Sequence, residues 1–146
     1  MIYFHTEDVS FRLKNAARVK RWIQRVIQSE KKKPGSLNFI FCSDDYLLSL
    51  NRKYLKHDYY TDVLSFDFSN DERTVSGDVY ISIDRVLENS AKFAKRKKSA
   101  SLQANENELH RVMIHGVLHL LGYDDTTVSA RKKMRQKEES CLMMRR

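Results

Sequence analysis

The chain has 146 residues, of which 41% are hydrophobic, and its 27 basic against 19 acidic residues give a formal net charge of +8. This length predicts one domain, residues 1–146, with a hydrophobic core large enough to fold without disulfide bonds or a structural metal. Two cysteines are in any case too few for a disulfide framework. No apolar stretch approaches the ~20 residues of a membrane span and the N-terminus has no signal-peptide pattern, so the sequence argues against a membrane or secreted protein and predicts a cytoplasmic one.

Hydrophobic spacing predicts the secondary structure. The expected segments are, in chain order, strand 1–4, helix 15–30, turn 31–35, strand 37–42, helix 44–54, strands 63–68 and 77–82, helix 84–98, a connection at 99–105, and helices 106–121 and 127–144. The strands at 63–68 and 77–82 are expected to pair as a hairpin, and the charged last helix to be exposed. This order predicts an α+β fold, one mixed sheet of about four strands packed with about five helices.

The helix predicted at 106–121 carries His115 and His119 in an otherwise apolar run. Residues at i and i+4 share a helix face, so the two imidazoles can hold one metal ion. Gly122 can end the helix in the left-handed conformation, which lets the chain fold back and allows Asp124 or Asp125 to supply a third ligand. Three protein ligands leave a position open for water, as in catalytic rather than structural metal sites.

The surroundings of this histidine pair favour a metal site over two unrelated histidines. The neighbours are Val112, Met113, Ile114, Val117, Leu118, Leu120 and Leu121. A helix this apolar is predicted to be buried, and buried imidazoles need polar partners, which a shared ion supplies. The metalloprotease motif His-Glu-x-x-His differs at one position, because Gly116 replaces its catalytic glutamate. A glycine there costs about 1 kcal/mol relative to alanine, which indicates that a strand or a substrate packs close to the backbone.

Basic residues occur in clusters. They are Arg18, Lys20, Arg21 and Arg25, residues 31–33 (KKK), Lys92 with residues 95–98 (KRKK), residues 131–133 (RKK) with Arg135 and Lys137, and residues 145–146 (RR). Each run alone is typical of a solvated helix face. Together, in a small domain with a metal site, they favour a nucleic acid as the partner. A membrane surface is less well supported, since no predicted helix has an exposed aromatic face beside its basic one.

Four segments stand out as motifs. They are residues 115–125 (HGVLHLLGYDD), 51–58 (NRKYLKHD), 61–66 (TDVLSF) and 77–82 (GDVYIS), and Met134 and Glu138 follow in the last helix. In these residues the chain resembles the YbeY family of bacterial endoribonucleases, also called ribosomal RNA maturation factors. The resemblance covers the chain from about residue 37, and the N-terminal helix matches in position only. The first and third segments are both specific, and their occurrence in this order makes a chance match remote.

The third metal ligand departs from the commonest family motif. That motif ends in a third histidine, and this chain has Asp125 instead. The resemblance therefore implies a metal site formed by His115, His119 and Asp125, holding one divalent ion, with zinc as the expected metal. Aspartate adds an anion to the ligand set, which should make bound water less acidic and widens the range of suitable metals beyond zinc.

The central segment departs from the family as well. Leu55 stands where the family has an arginine that faces the active-site cleft, and Arg52, Lys53 and Lys56 are the basic residues available to bind phosphate in its place. The other replacements are His57 for a lysine and Tyr60 for a proline. Tyr59 and Tyr60 could stack on RNA bases, although covering the edge of the core is the expectation that we favour.

The resemblance implies a metal-dependent hydrolase that cleaves single-stranded RNA in ribosomal RNA maturation and ribosome quality control. Its expected partners are ribosomal RNA and the small ribosomal subunit with its assembly factors. The catalytic residues would be His115, His119 and Asp124, the last as a general base or as an orienting partner, with a helix cap as the equally weighted alternative. Thr61 and Ser65 are expected to line the cleft with the basic residues. The competing functions are a non-enzymatic assembly factor with a structural metal and a metalloprotease-like hydrolase.

Overall fold

The computed structural model describes the backbone of residues 1–97 and 101–145 and the side chains of residues 1–92 and 105–145. Its elements are β1 (Ile2–Thr6), α1 (Ala16–Ser29), β2 (Lys33–Cys42), α2 (Asp44–Leu55), β3 (Val63–Asp67), β4 (Thr74–Ser82), α3 (Ile83–Lys97), α4 (Ser101–Leu120) and α5 (Val128–Leu142). The α+β prediction is confirmed, because the described residues form one four-stranded mixed sheet with five helices. Lys98, Ser99 and Ala100 of the predicted helix end and connection lie outside the described residues, as do the side chains of the basic run at 95–98.

The sheet has the order β1-β2-β4-β3. Strands β1 and β4 both run parallel to β2, whereas β3 pairs antiparallel with β4 and places Ser65 opposite Val79. The predicted hairpin is therefore correct. Strand β3 forms one edge of the sheet, and β1 forms the other.

Two predicted boundaries are wrong. The turn expected at 31–35 overlaps the start of β2, because Lys33 and Pro34 already pair with Thr74 and Val75. A register shift follows between Pro34 and Leu37, which is how a strand accommodates a residue without an N–H. Helix α4 begins at Ser101 instead of 106, so residues 101–105 of the predicted connection are helical. The sequence did not predict this start, because the first turns of the helix lack apolar residues at helical spacing.

Helices cover both faces of the sheet. Helices α1 and α4 pack on one face, where the largest buried side chains of the main core lie, among them Trp22, Phe39, Phe41 and Leu118. Helix α2 covers the other face through a smaller cluster around Cys42, Leu47 and Leu64. Both cysteines are buried and free, as a cysteine used for packing should be. No helix among the described residues has both the length and the apolar character that spanning a bilayer requires.

Gly116 is where α4 approaches the sheet most closely. A Cβ atom there would lie 2.5 Å from Cγ1 of Val79 and 3.2 Å from both Oγ of Ser65 and Cγ2 of Val63. The hydroxyl of Ser65 also donates a hydrogen bond to the Gly116 carbonyl at 2.9 Å. The predicted close approach is therefore confirmed, and strands β3 and β4 are what packs there.

The last helix is more deeply involved than its charge predicts. Met134, Glu138 and Cys141 of α5 are buried against the rest of the molecule. The indole of Trp22 donates a hydrogen bond of 2.8 Å to the Cys141 carbonyl. The expectation that this helix is exposed is wrong for the face that carries these three residues.

Candidate metal centre

The end of α4 returns the chain toward its own histidines. Gly122 has a φ of 99°. Its N–H donates to the His119 carbonyl at 3.0 Å, and the N–H of Tyr123 donates to the Leu118 carbonyl at 3.0 Å. This pair of hydrogen bonds is a Schellman motif, whose left-handed residue is easiest for glycine. The turn brings Asp125 back beside the helix face that carries the two histidines.

Three potential ligand atoms converge there. Nε2 of His115 and Nε2 of His119 are 3.0 Å apart, and Oδ2 of Asp125 lies 3.3 Å from the first and 3.4 Å from the second. Ligand atoms of a tetrahedral zinc site, with bonds of about 2.0–2.2 Å, are separated by about 3.3–3.6 Å. The spacing therefore suits a small divalent ion.

The hydrogen bonds of the opposite ring nitrogens fix both tautomers. Nδ1 of His119 donates to the Tyr123 carbonyl at 3.2 Å, and Nδ1 of His115 donates to a carboxylate oxygen of Glu138 at 2.6 Å. Because a carbonyl and a carboxylate only accept, both Nδ1 atoms carry hydrogen and both Nε2 atoms present lone pairs. Two lone pairs and a carboxylate oxygen that face one another repel unless a proton or a metal ion lies between them, and imidazoles oriented in this way are typical of metal sites.

Glu138 belongs to a charged network that the sequence did not predict. Arg111 donates to Glu138 at 3.1 Å and also pairs with Glu108 one turn before it on α4. Burial lowers the pKa of Arg111, but the two carboxylates outweigh it and raise the pKa. One sequence feature could have predicted that Glu138 has a buried partner. Glu138 lies at helical spacing between Met134 and Cys141, and a carboxylate in an apolar stripe needs a buried partner.

The surroundings of His115 favour a positive charge on it. Burial alone lowers the pKa of this imidazole, but the hydrogen bond and charge of Glu138, with weaker contributions from Asp62 and Asp125, raise it overall. Burial also raises the pKa of the Asp62 carboxyl, and the charges of His115 and Arg111 act in the opposite direction. An environment of this kind stabilises a bound cation in the same way as it stabilises a proton.

The three ligand side chains are partly open to solvent. The exposed fractions are 20% for His115, 31% for His119 and 35% for Asp125. One side of the cluster packs against the buried Glu138, and the other side faces solvent. This leaves room for a further, exchangeable ligand. That asymmetry is typical of catalytic metal sites, in which protein ligands do not fill the coordination sphere.

Asp124 is not one of the three residues that converge at this centre. Its carboxylate accepts hydrogen bonds from the N–H and the hydroxyl of Thr126, at 3.1 and 2.8 Å. These hydrogen bonds lower its pKa. Asp124 therefore stabilises the turn before α5, and the N-cap of that helix is Thr127 instead of Asp124. A catalytic role for Asp124 stays a prediction.

The predicted substrate residues occupy three places. Ser65 lies under Gly116, directly beside the metal helix, and its hydroxyl is engaged there. Thr61 donates to the Val63 carbonyl at 3.4 Å in the loop that precedes β3. Arg52 and Lys56 lie at the C-terminal end of α2, where both are exposed and Arg52 pairs with Asp58. Contact of any of the four with RNA stays a prediction.

An α+β fold with an open centre of two histidines and one carboxylate, in a strongly basic chain, is that of a metal-dependent hydrolase. Residues 2–145 match the family model described as Endoribonuclease YbeY. The Endoribonuclease YbeY of Cytophaga hutchinsonii is 43% identical over 147 residues, covering 99% of this chain and 96% of that protein. The Endoribonuclease YbeY of Flavobacterium psychrophilum is 44% identical over 144 residues, with 99% and 96% covered. The chain therefore belongs to the endoribonuclease YbeY family.

A solved structure has the same fold. The solution structure of TM1509 from Thermotoga maritima superposes with a TM-score of 0.63 at 28% sequence identity. The match covers 99% of this chain and 88% of that one. The arrangement of sheet and helices that builds the metal centre is therefore shared beyond the sequences most similar to this one.

Proposed function

We propose that residues 1–146 form one metal-dependent endoribonuclease domain that cleaves single-stranded RNA in ribosomal RNA maturation and ribosome quality control. The observation that carries the proposal is the convergence of three acceptor atoms, from His115, His119 and Asp125, in a member of an endoribonuclease family. Zinc is the proposed ion, because two imidazoles and one carboxylate are a ligand set that zinc uses in open sites. Ribosomal RNA, the small ribosomal subunit and its assembly factors are the proposed partners, in the cytoplasm.

The protein's own groups orient the centre. Glu138 and the Tyr123 carbonyl hold the two imidazoles so that Nε2 of each faces the third ligand. When bound, a divalent ion supplies Lewis-acid chemistry, which lowers the pKa of water and stabilises charge on a phosphoryl oxygen. The basic surface binds the phosphate backbone and concentrates RNA at the site.

A protease-type general base has no place here. The position that carries glutamate in metalloproteases is Gly116, and its α-carbon faces Val79 and Ser65 with no space for a side chain. This argues against the metalloprotease-like alternative. The nucleophile is then a water that gives its proton to Asp124, or the RNA's own 2′-hydroxyl, which gives its proton to solvent.

Two adjacent aspartates provide the test. Asp125→Asn should lose both bound metal and cleavage of a single-stranded ribosomal RNA fragment, because an amide is a poor metal ligand. Asp124→Asn should keep its metal, because its carboxylate bonds to Thr126. Metal content and cleavage are measured on the same preparations, with His119→Ala as the control for contaminating ribonuclease.

The outcomes separate the remaining functions. Loss of cleavage in Asp124→Asn with metal retained assigns the base to Asp124, and retained cleavage points to the 2′-hydroxyl route. A metal-loaded wild type that does not cut, or that cuts no better than His119→Ala, contradicts the nuclease. The function would then be that of an assembly factor with a structural metal.

A further inference from the structure

Three exposed tyrosines lie at the end of α2 or in the segment that follows it. The exposed fractions are 57% for Tyr54, 56% for Tyr59 and 50% for Tyr60. Tyr59 and Tyr60 lie in the segment that joins α2 to β3, residues 56–62, which we call the aromatic loop. The expectation that these two tyrosines cover the edge of the core is wrong, because half or more of each is open to solvent. Such rings, grouped on one surface, commonly mark an interaction site.

The aromatic loop is held in place by one buried residue. The side-chain amide of Asn51 donates to the Tyr59 carbonyl at 2.9 Å, and its backbone carbonyl accepts from the His57 N–H at 3.1 Å. Residues 57 and 59, the two ends of a three-residue stretch, are thereby hydrogen-bonded to α2. Exposed residues fixed in this way lose little conformational freedom when they bind a ligand.

Within that stretch, His57 and Tyr59 form a stacked pair. Their ring centroids are 5.1 Å apart with an interplanar angle of 20°, and the Tyr59 hydroxyl and Nδ1 of His57 are 3.0 Å apart. The arrangement fixes the plane of the tyrosine ring while more than half of the residue stays exposed. Tyr60 differs, because Arg85 lies over its ring at 5.6 Å and its hydroxyl bonds to Asp45. The pair of His57 and Tyr59 is therefore the surface prepared to receive another ring.

The loop leads directly to the metal centre. Its last residue, Asp62, directly precedes strand β3. The strand that follows contacts the metal helix through Ser65 and Gly116. The aromatic loop therefore leads into the edge strand that the metal helix also contacts.

Charge around the loop suits a polyanion. Lys53 and Lys56 are exposed beside the rings, and Nζ of Lys53 lies 5.2 Å from the centroid of Tyr54. Arg52 is also exposed and pairs with Asp58. Cations interleaved with exposed rings are the combination by which proteins bind single-stranded nucleic acids, since rings stack on bases and cations bind phosphates.

We propose that the stacked pair of His57 and Tyr59 is a base-stacking subsite, which receives an unpaired base of the RNA while Lys53 and Lys56 bind neighbouring phosphates. The inference rests on the proposed function and adds to it the physical source of a preference for single strands, because paired bases cannot reach the ring. The occupant is RNA, because its bases match the exposed rings and its phosphates match the exposed lysines. The net charge of +8 also favours a polyanion.

The test compares an RNA with bases and one without. Metal-loaded protein is titrated with a 2′-O-methyl oligonucleotide of about nine nucleotides and with an abasic strand of the same length, and binding is read by fluorescence anisotropy. A gel run after each titration verifies that the strands are intact. In Tyr59→Leu, affinity for the strand with bases should fall on the order of tenfold, whereas affinity for the abasic strand should not change. Tyr59→Phe, which keeps the ring, should bind as the wild type does.

The matched control is Tyr3→Leu. Tyr3 is an exposed tyrosine beside a histidine, His5, but it lies on β1, at the opposite edge of the sheet. Its replacement should change neither affinity. Equal weakening of both strands by Tyr59→Leu, weakening by Tyr59→Phe as large as by Tyr59→Leu, or no weakening at all would overturn the subsite, and the last result would point to a protein partner for the loop.

Cleavage measured with the same preparations separates this proposal from the one on which it rests. If the wild type cleaves RNA and Tyr59→Leu shows no base-dependent loss, the subsite alone fails. If the wild type does not cleave RNA although Tyr59→Leu shows the base-dependent loss, the nuclease function alone fails.

Discussion

Glu138 controls the metal centre through a single hydrogen bond. Its carboxylate accepts the Nδ1 proton of His115, which keeps the Nε2 lone pair directed at the other ligands. We expect Glu138→Gln to weaken metal affinity by about 10-fold, because a neutral amide oxygen accepts the Nδ1 proton more weakly than a carboxylate does. The fold should persist, because Arg111 keeps Glu108 as its second partner. Competition with a chromophoric chelator measures the affinity.

The neighbouring residue provides the control. Glu139 is exposed on the same helix, so Glu139→Gln removes the same charge one position away without touching His115. Its metal affinity should match that of the wild type. Equal affinities in Glu138→Gln and Glu139→Gln would show that this hydrogen bond does not orient the ligand.

His110 makes stability depend on pH. It is buried against Trp22, and Nη1 of Arg145 donates to its Nδ1 at 2.9 Å. Burial, reinforced by the charge of Arg145, lowers the pKa of this imidazole from 6.5 to about 4. Between pH 6.5 and pH 4 the unfolded chain binds a proton at His110 that the folded chain does not. The contribution of His110 to the free energy of unfolding is therefore intact above pH 6.5 and is lost as the pH falls toward 4.

Urea unfolding tests this effect. From about pH 7.5 to about pH 5, the metal-free wild type should lose about 2 kcal/mol more than His110→Gln, in which an amide oxygen replaces the acceptor. His5 is exposed, and His5→Gln should keep the pH dependence of the wild type. A wild type and a His110→Gln variant with the same dependence would rule out His110 as its source.

At the scale of elements, the contact between α4 and the sheet sets the position of the histidines. Gly116→Ala should improve helix propensity by about 1 kcal/mol, but its methyl group would enter the space of the buried Cγ1 of Val79, 2.5 Å away. Overpacking of this kind costs about 1–3 kcal/mol, so we expect a net loss of unfolding free energy. Denaturant unfolding at constant metal concentration measures it.

Ser140→Ala isolates the propensity effect. Ser140 is exposed on α5, so its replacement adds no contact with the core. A small gain in stability is expected there from helix propensity. If Gly116→Ala gave a gain of the same size, the sheet would have to yield at Val79, and the close approach would not constrain α4.

The sequence predicted those elements and ligands that depend on local patterns. Spacing of four residues paired His115 with His119, and Gly122 marked the turn that returns Asp125. Glu138 was not predicted as a partner of His115, because 23 residues separate them and only the packing of α5 on α4 brings them together. Strand order is another property of long-range contacts, and no local pattern contains it.

At the scale of the whole molecule, the hydrophobic core and the metal centre are nearly separate. The main core is formed by apolar side chains of the sheet, α1, α3, α4 and α5, and the three ligands are partly exposed. The free energy of burying those apolar side chains does not depend on a metal ion. The ion therefore adds to a fold that exists without it, unlike the ion of a zinc finger.

Removal of the metal should accordingly lower stability without unfolding the chain. Zinc at 100 times its dissociation constant adds about 2.7 kcal/mol, which for a chain of this size corresponds to about 5–10 °C in Tm. The chelated protein should keep its far-ultraviolet circular dichroism and unfold cooperatively. Asp125→Asn should melt at the same temperature with and without zinc, since a ligand is missing. A chelated wild type that is unfolded at 25 °C would instead mean that the ion is structural, and an open catalytic centre would lose its physical basis.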